Sequence, residues 1–373
     1  SELRLHPPNV SELEDLHRKA MMVRHKLAEE HPESAVYRIE AALNHAAFGL
    51  FLSDLGRDEE AILEFTQALR YSSASISFSQ SHDPDFGISS PHALYSGELC
   101  RLLVNNGRLR EAIDHCHPLG IIFGPDANIY LSSRSMNSVL RFSGQTGEFI
   151  DQFAEGGGLI SPHGLTFGPD HNLYVSSEGS HKILRYDGST GFFIDVFVDN
   201  VHHPVALVFG PDGNLYVSSF ERNAIQRFCG QSGEFIGDFV PPGHGGLQKP
   251  TGIVFGPQGN LYVSSQVKDC VLRYDGTTGQ CIDTFASVED PIYLSFGPNG
   301  DLYVCARDSE SVFRYDGMTG QFVGVSSGPD LNAPQGLAFG PDGNLYVTSQ
   351  FPGKVIRYDP NTGANLGVVI PCN

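Results

Sequence analysis

Residues 163–197 read HGLTFGPDHNLYVSSEGSHKILRYDGSTGFFIDVF. Within them HGLTF (163–167), LYVSS (173–177), KILRYD (182–187) and FFIDVF (192–197) alternate apolar with polar residues or run briefly apolar. β-Branched and aromatic side chains fill these runs, and the turns GPDHN and GSTG separate them. That combination predicts short antiparallel strands joined by tight loops.

The same frame recurs. Phe-Gly-Pro stands at 123, 167, 209, 255, 296 and 339, in steps of 44, 42, 46, 41 and 43 residues. The third loop of each copy (SGQTG, DGSTG, CGQSG, DGTTG, DGMTG, DPNTG) ends in glycine, which takes the positive φ of a tight turn without strain. Six copies of four strands predict a mainly β chain, a six-bladed β-propeller with four-stranded blades over residues 117–373. Each copy is complete from first strand to fourth, so the ring need not borrow a strand to close.

Residues 1–116 read as helical. Leu13, Leu16, Ala20, Val23 and Leu27 recur at helical spacing. The stretch 41–70, with Gly49, Leu55-Gly56-Arg57, Ala61, Phe65 and Ala68, resembles a tetratricopeptide unit. A poorer unit spans 93–116, and the Ser-rich stretch 71–91 between them reads as a long loop. Two units are fewer than a free-standing array needs, so the helices are expected to pack on the ring. They also offer a surface for a protein partner.

Composition excludes several classes. Lys plus Arg number 24 against 43 acids, a formal charge of −19, which disfavours nucleic acid and anionic lipid as partners. No run reaches the ~20 apolar residues of a membrane helix, so no membrane insertion is expected. Nothing at the N-terminus reads as a signal segment. Seven cysteines form no CxxC pair and imply neither a zinc cluster nor a full disulfide framework.

The stretches PHGLTFGPDHNLYVSS and PQGLAFGPDGNLYVTS resemble NHL-type propellers, and particularly the streptogramin B lyase branch, over residues 117–373. The resemblance implies an innermost first strand, so that its start and the end of strand two emerge at one face around the channel. Positions shared by all six copies serve architecture: the strand-two tyrosines (130, 174, 216, 262, 303, 346) and strand-three arginines (141, 185, 227, 273, 314, 357). The rim positions diverge instead. Before the opening proline stand His117, Ser161, His203, Lys249, Asp290 and Ala333. Just after it come Leu119, His163, Val205, Thr251, Tyr293 and Gln335. After strand two come Arg134, Glu178, Phe220, Gln266, Arg307 and Gln350. Folding alone gives a repeat little reason to diversify here.

His163 and Glu178 in blade two are read as the catalytic pair. With His117 and His203 they form a candidate metal set, and His115, His202 and His244 lie in loops assigned to the same side. Imidazoles plus a carboxylate suit copper, zinc or iron better than calcium. The resemblance likewise implies functional histidines and acids around a divalent ion, although Val205 departs from histidines in successive blades. Arg134, Phe220, Gln266, Tyr293, Arg307 and Gln350 are the candidate substrate contacts. A histidine beside a loop proline is commonly just a solvated turn residue. His181 aligns with Asn137, Asn223 and Asp269 in a tight turn and reads as structural.

The expectation is a metal-dependent enzyme acting on a small organic, aromatic or secondary-metabolite substrate at the channel mouth. Copper or iron would favour oxidative coupling, and magnesium or zinc an eliminative lyase. A loose architectural likeness to the propeller proteins of scytonemin biosynthesis favours the former, and with it a bacterial periplasm over the cytoplasm. The competing expectation is a non-catalytic interaction scaffold.

Overall fold

The computed structural model describes residues 10–76, 91–108, 112, 115–328, 330–350 and 353–371. The chain forms two compact units, Ser1–His115 and Cys116–Asn373. The second is a six-bladed propeller of four-stranded antiparallel sheets in which spatial order follows chain order. Blade one comprises β1 (Pro118–Phe123), β2 (Ile129–Ser133), β3 (Ser138–Phe142) and β4 (Phe149–Ala154). Blade two comprises β5 (Pro162–Phe167), β6 (Leu173–Ser177), β7 (Lys182–Tyr186) and β8 (Phe193–Val198), as the opening stretch predicts. The last strand is Asn365–Ile370. First strands of adjacent blades touch all the way round, blade six meeting blade one, so they line the axis.

The Phe-Gly-Pro motif is the joint between blades. Phe167 packs edge-on against Tyr130 of the preceding blade at 5.2 Å, and Phe209 does so against Tyr174 at 5.0 Å. The pair Phe123–Tyr346, at 4.9 Å, repeats this contact where the ring closes. Such pairs contribute ~0.5–1.5 kcal/mol beyond their area. The motif's glycine is needed because the tyrosine ring lies over it: a Cβ on Gly168 would stand 2.6 Å from a ring carbon of Tyr174. The phenol then donates to the turn aspartate, as Tyr174 does to Asp170 at 3.0 Å.

A second joint uses strand-two hydroxyls. Ser132 donates to the His163 carbonyl at 2.6 Å, Ser176 to Val205 at 2.6 Å and Ser218 to Thr251 at 2.7 Å. Thr348 closes the ring on Leu119 at 3.0 Å. Between blades four and five the pattern changes. There Ser264 Oγ is buried without a partner, and Thr251 Oγ1 donates to Pro291 and Ile292 carbonyls instead. The strand-three arginines brace the outer sheet: Arg185 pairs with Asp195 at 2.5 Å and lies 5.1 Å over Phe197.

In the first unit, α1 (Val10–Glu30), α2 (Ala35–Asp54), α3 (Asp58–Ile76) and α4 (Pro91–Asn105) follow one another. Helices α2 and α3 make the hairpin read in 41–70, joined at Leu55-Gly56-Arg57. Gly49 lets Phe65 close on α2, since a Cβ there would lie 3.0 Å from the ring. Helix α3 runs six residues into the stretch read as loop (71–91), because Tyr71 and Ser72 still pack against the hairpin. Residues 77–90, and 109–111 and 113–114 after α4, lie outside the described residues. Helix α2 leaves Val36, Ile39, Leu43 and Leu50 exposed. Among the described residues no helix is long and apolar enough to cross a membrane.

Candidate functional site

Every residue before an opening proline adopts a left-handed backbone, from φ 40° at His117 and 49° at Ser161 to 53° at His203 and 45° at Asp290. That conformation costs a non-glycine residue of order 1–3 kcal/mol. Even so, the six positions carry His, Ser, His, Lys, Asp and Ala. Each of their carbonyls accepts from the backbone N–H of the residue after strand two: Arg134 on His117 (3.4 Å), Glu178 on Ser161 (3.2 Å), Phe220 on His203 (3.1 Å). The two divergent positions are therefore physically adjacent in every blade.

Just inside, β5 leaves its ladder. Pro162 pairs with Ser177 and Leu165 with Val175, and the irregularity between them holds His163 and Gly164. His163 reaches across the axis to blade five, the opposite blade. Its Nδ1 is 2.9 Å from Tyr293 Oη, and the two rings stack at 5.6 Å with 17° between their planes. Tyr293 stands two residues after Pro291, in register with Gly120, Gly164, Ala206, Gly252 and Gly336 rather than with His163. The residue that follows the proline in blade five is Ile292. A tyrosine where four other blades carry glycine and one alanine was legible as an anomaly. That it meets His163 was not.

Around His163 lies a chain of charged groups from three consecutive blades. Glu178 bonds through Oε1 to His203 Nε2, and His203 Nδ1 is 3.3 Å from Glu221. Arg134 Nη2 stands 3.7 Å from Glu178 Oε2, with the two side chains 9% and 7% exposed. Neither of those two atoms has a hydrogen-bond partner. Phe220 packs on the His203 ring at 5.3 Å, and Lys249 Nζ lies over the Phe220 ring, 4.6 Å from its centre.

These surroundings push two imidazoles in opposite directions. Burial lowers His163 from its ordinary value of 6.5 to about 4, with Arg134 and His203 adding to the effect against the opposing charge of Glu178. His203 is also pulled down by burial, but its bond to Glu178, that carboxylate's charge and Glu221 outweigh this and raise it. Burial works to raise Glu178, yet His203, Arg134 and His163 hold it below the usual range. Burial lowers Arg134, against the pull of Glu178. Tyr293 is pushed well up by burial and by Glu178, so it keeps its proton.

The metal set expected of His117, His163, His203 and Glu178 does not assemble. Among the described residues no three His, Cys, Asp or Glu side chains are arranged to hold a metal ion. His203 Nε2 and Glu178 Oε1 are spent on each other, and the Arg134 guanidinium faces the other carboxylate oxygen, where it would repel a cation. Nδ1 of His117 is engaged at 2.6 Å by Ser135. As arranged here, the four residues do not present a joint ligand set to copper, zinc or iron.

The remaining candidates divide. Arg134, His163, Glu178, His203, Phe220 and Tyr293 form one cluster. Gln266 and Arg307 instead serve Asp290: Gln266 Nε2 donates at 2.7 Å and Arg307 Nε at 2.7 Å. Burial raises the Asp290 carboxyl in spite of Arg307. Gln350 Oε1 accepts from Gln335 at 3.2 Å. His244 belongs elsewhere, accepting from the Cys281 backbone on the outer strand of blade four. His181 does the work of its aligned residues: its Nδ1 accepts from His203 N at 3.1 Å, as Asn223 Oδ1 accepts from Lys249 N at 2.7 Å. A surface cleft of about 540 Å³ at blades four and five, lined by Phe313, Tyr315 and Phe322 among others, shares no residue with the cluster.

Among solved structures, a streptogramin B lyase is similar over 66% of this chain and 80% of its own, with a TM-score of 0.52 and 17% identity. A catalytically inactive histidine-to-alanine variant of virginiamycin B lyase from Staphylococcus aureus, with quinupristin, covers 64% of this chain and 78% of its own at a TM-score of 0.51 and 16% identity. A gluconolactonase from Xanthomonas campestris covers 65% and 85% at a TM-score of 0.54 and 18% identity. The likeness is one of fold. No protein-family model matches the chain, and no curated protein shows significant sequence similarity to it. The scytonemin-biosynthesis likeness finds no support in these comparisons.

Proposed function

We propose that the chain is an enzyme of lyase or hydrolase type that performs acid–base chemistry on a small cyclic ester at this rim. The observation that carries the reading is the pair of imidazoles in one cluster whose environments drive them apart, His163 down to about 4 and His203 upward. Groups separated in this way supply a base and an acid at one pH. The fold neighbours add that propellers of this shape include lyases and a gluconolactonase, whose name specifies a lactone.

In the eliminative form His163, uncharged at neutral pH, offers Nε2 to the substrate while Nδ1–H donates to Tyr293 Oη. The proton of a substrate C–H passes to Nε2, its electron pair forms the new C=C bond, and the neighbouring C–O bond breaks. His203 gives its Nδ1 proton, otherwise turned to Glu221, to the departing oxygen, and Glu178 on Nε2 steadies the imidazolium beforehand. In the hydrolytic form His163 takes the proton of a water that attacks the carbonyl, and His203 protonates the same leaving oxygen. Both forms use the same side chains.

The test is incubation with glucono-1,5-lactone and with quinupristin, read by mass spectrometry. Ring opening without mass change identifies elimination, and a gain of one water identifies hydrolysis. His163→Ala and His203→Ala should each reduce kcat/KM by about 100-fold or more, the range of a general acid or base. Turnover that survives both substitutions overturns the reading.

A further inference from the structure

The Arg134–Glu178 contact is incomplete as a structural ion pair. The two groups come from blades one and two, face each other at 3.7 Å and are more than nine-tenths buried. Arg134 Nη2 and Glu178 Oε2 nevertheless have no hydrogen-bond partner. Buried polar atoms are almost always paired, and one left unmade costs ~1–3 kcal/mol or more for a charged group. A pair built only for stability would close to a hydrogen bond. Glu178 uses its other oxygen on His203, which ties this gap to the acid–base cluster.

We propose that Arg134 and Glu178 together form a subsite for a hydroxyl group of the substrate, adjacent to the ester that His163 and His203 process. This rests on the acid–base reading for the location of the ester. An oxygen at ordinary hydrogen-bond length, about 2.8 Å, from both atoms fits a 3.7 Å gap. It accepts from the guanidinium on one side and donates to the carboxylate on the other, and only a group that does both satisfies the two atoms at once. Charge selects in the same direction. A substrate carboxylate or phosphate would meet Glu178, and an ammonium would meet Arg134, so each sign of charge is repelled by one wall. The neutral group with donor and acceptor on one atom is a hydroxyl, and the substrate class is therefore a hydroxylated cyclic ester. A buried water has the same hydrogen-bonding pattern and is the alternative occupant.

Matched probes separate these outcomes: α-hydroxy-γ-butyrolactone and γ-butyrolactone differ by one hydroxyl. By titration calorimetry the wild-type protein should bind the hydroxylated probe about 10- to 100-fold more tightly, the effect of one or two hydrogen bonds to charged groups. Arg134→Gln and Glu178→Gln should each reduce that ratio towards unity, with melting curves confirming that each variant folds. If either variant fails to fold, the wild-type ratio and a crystal structure with the hydroxylated probe decide the matter alone. Equal affinity for the two probes overturns the subsite, as does a water still seated between Arg134 and Glu178 with the probe bound, or absence of binding by both. Turnover of the two lactones with equal kcat/KM overturns the subsite and leaves the acid–base reading standing. A hydroxyl preference in binding without turnover supports the subsite and overturns the acid–base reading.

Discussion

Tyr293 Oη lies 2.9 Å from Nδ1 of His163, although the two residues belong to opposite blades and are 130 positions apart in the chain. The contact engages Nδ1 rather than Nε2, and it holds the imidazole by a stacked ring as well as a hydrogen bond. Tyr293→Phe keeps the stack and deletes the bond. Its expected effect is a change of tautomer at His163, visible as altered ¹⁵N shifts of the ring nitrogens, with a stability loss of about 1 kcal/mol. Unchanged nitrogen shifts would show that Tyr293 does not set the tautomer.

The depressed value at His163 has a definite pH signature. A histidine at 6.5 when unfolded and about 4 when folded binds fewer protons in the folded state between those values. Stability therefore falls as pH drops from 6.5 to 4, by up to about 3 kcal/mol, and levels off below. His203 acts with the opposite sign: its raised value adds stability below the ordinary histidine range, lost as pH rises through the folded value. Urea midpoints against pH should show a smaller acid-side loss in His163→Gln than in the wild type. An identical pH profile for the two proteins would refute the buried neutral imidazole.

The strand-two tyrosines hold the ring together. Tyr216 is about 1% exposed, packs edge-on against Phe239 at 4.9 Å and Phe255 at 5.0 Å, and donates to Asp212 at 3.0 Å. Tyr216→Ala should cost about 3–5 kcal/mol and Tyr216→Phe about 1 kcal/mol by denaturant titration. Similar losses for the two would mean that the hydroxyl, not the ring, carries the joint.

Glycines offer a cleaner contrast. A Cβ on Gly168 would lie 2.6 Å from Tyr174, whereas one on Gly324 meets nothing within 4 Å. Gly168→Ala should lower the melting temperature, at a cost of about 1–3 kcal/mol from overpacking. Gly324→Ala should change it little. Equal effects would remove the ring-over-glycine account of the motif.

Metal dependence can be settled directly. With Arg134 facing Glu178 and with His203 and Glu178 bonded to each other, chelator treatment is expected to leave melting temperature and turnover unchanged. Stoichiometric copper, zinc or iron by elemental analysis of untagged protein, lost in both His163→Ala and His203→Ala, would reverse that expectation.

The ring was legible in the sequence because its determinants are local and repeated. Phe-Gly-Pro followed at fixed distance by Tyr reads as a turn and a strand in any single copy, and six copies count the blades. The tetrad of strands in residues 163–197 lies within a residue or two of the observed ones for the same reason. The divergence of rim positions was equally visible, since comparison among six copies needs no coordinates. Which divergent residues meet was decided only by the tertiary structure. Ring closure sets blade five opposite blade two and so brings Tyr293 to His163. The twist between neighbouring blades sets Arg134 against Glu178 and Glu178 against His203, while Gln266 and Arg307 turn to Asp290. Those contacts depend on angles between blades fixed by packing of Phe on Tyr around the whole circle, and no local pattern encodes them. The four residues grouped by type as candidate metal ligands are divided for that reason: distance pairs His203 with Glu178, His163 with Tyr293 and His117 with Ser135.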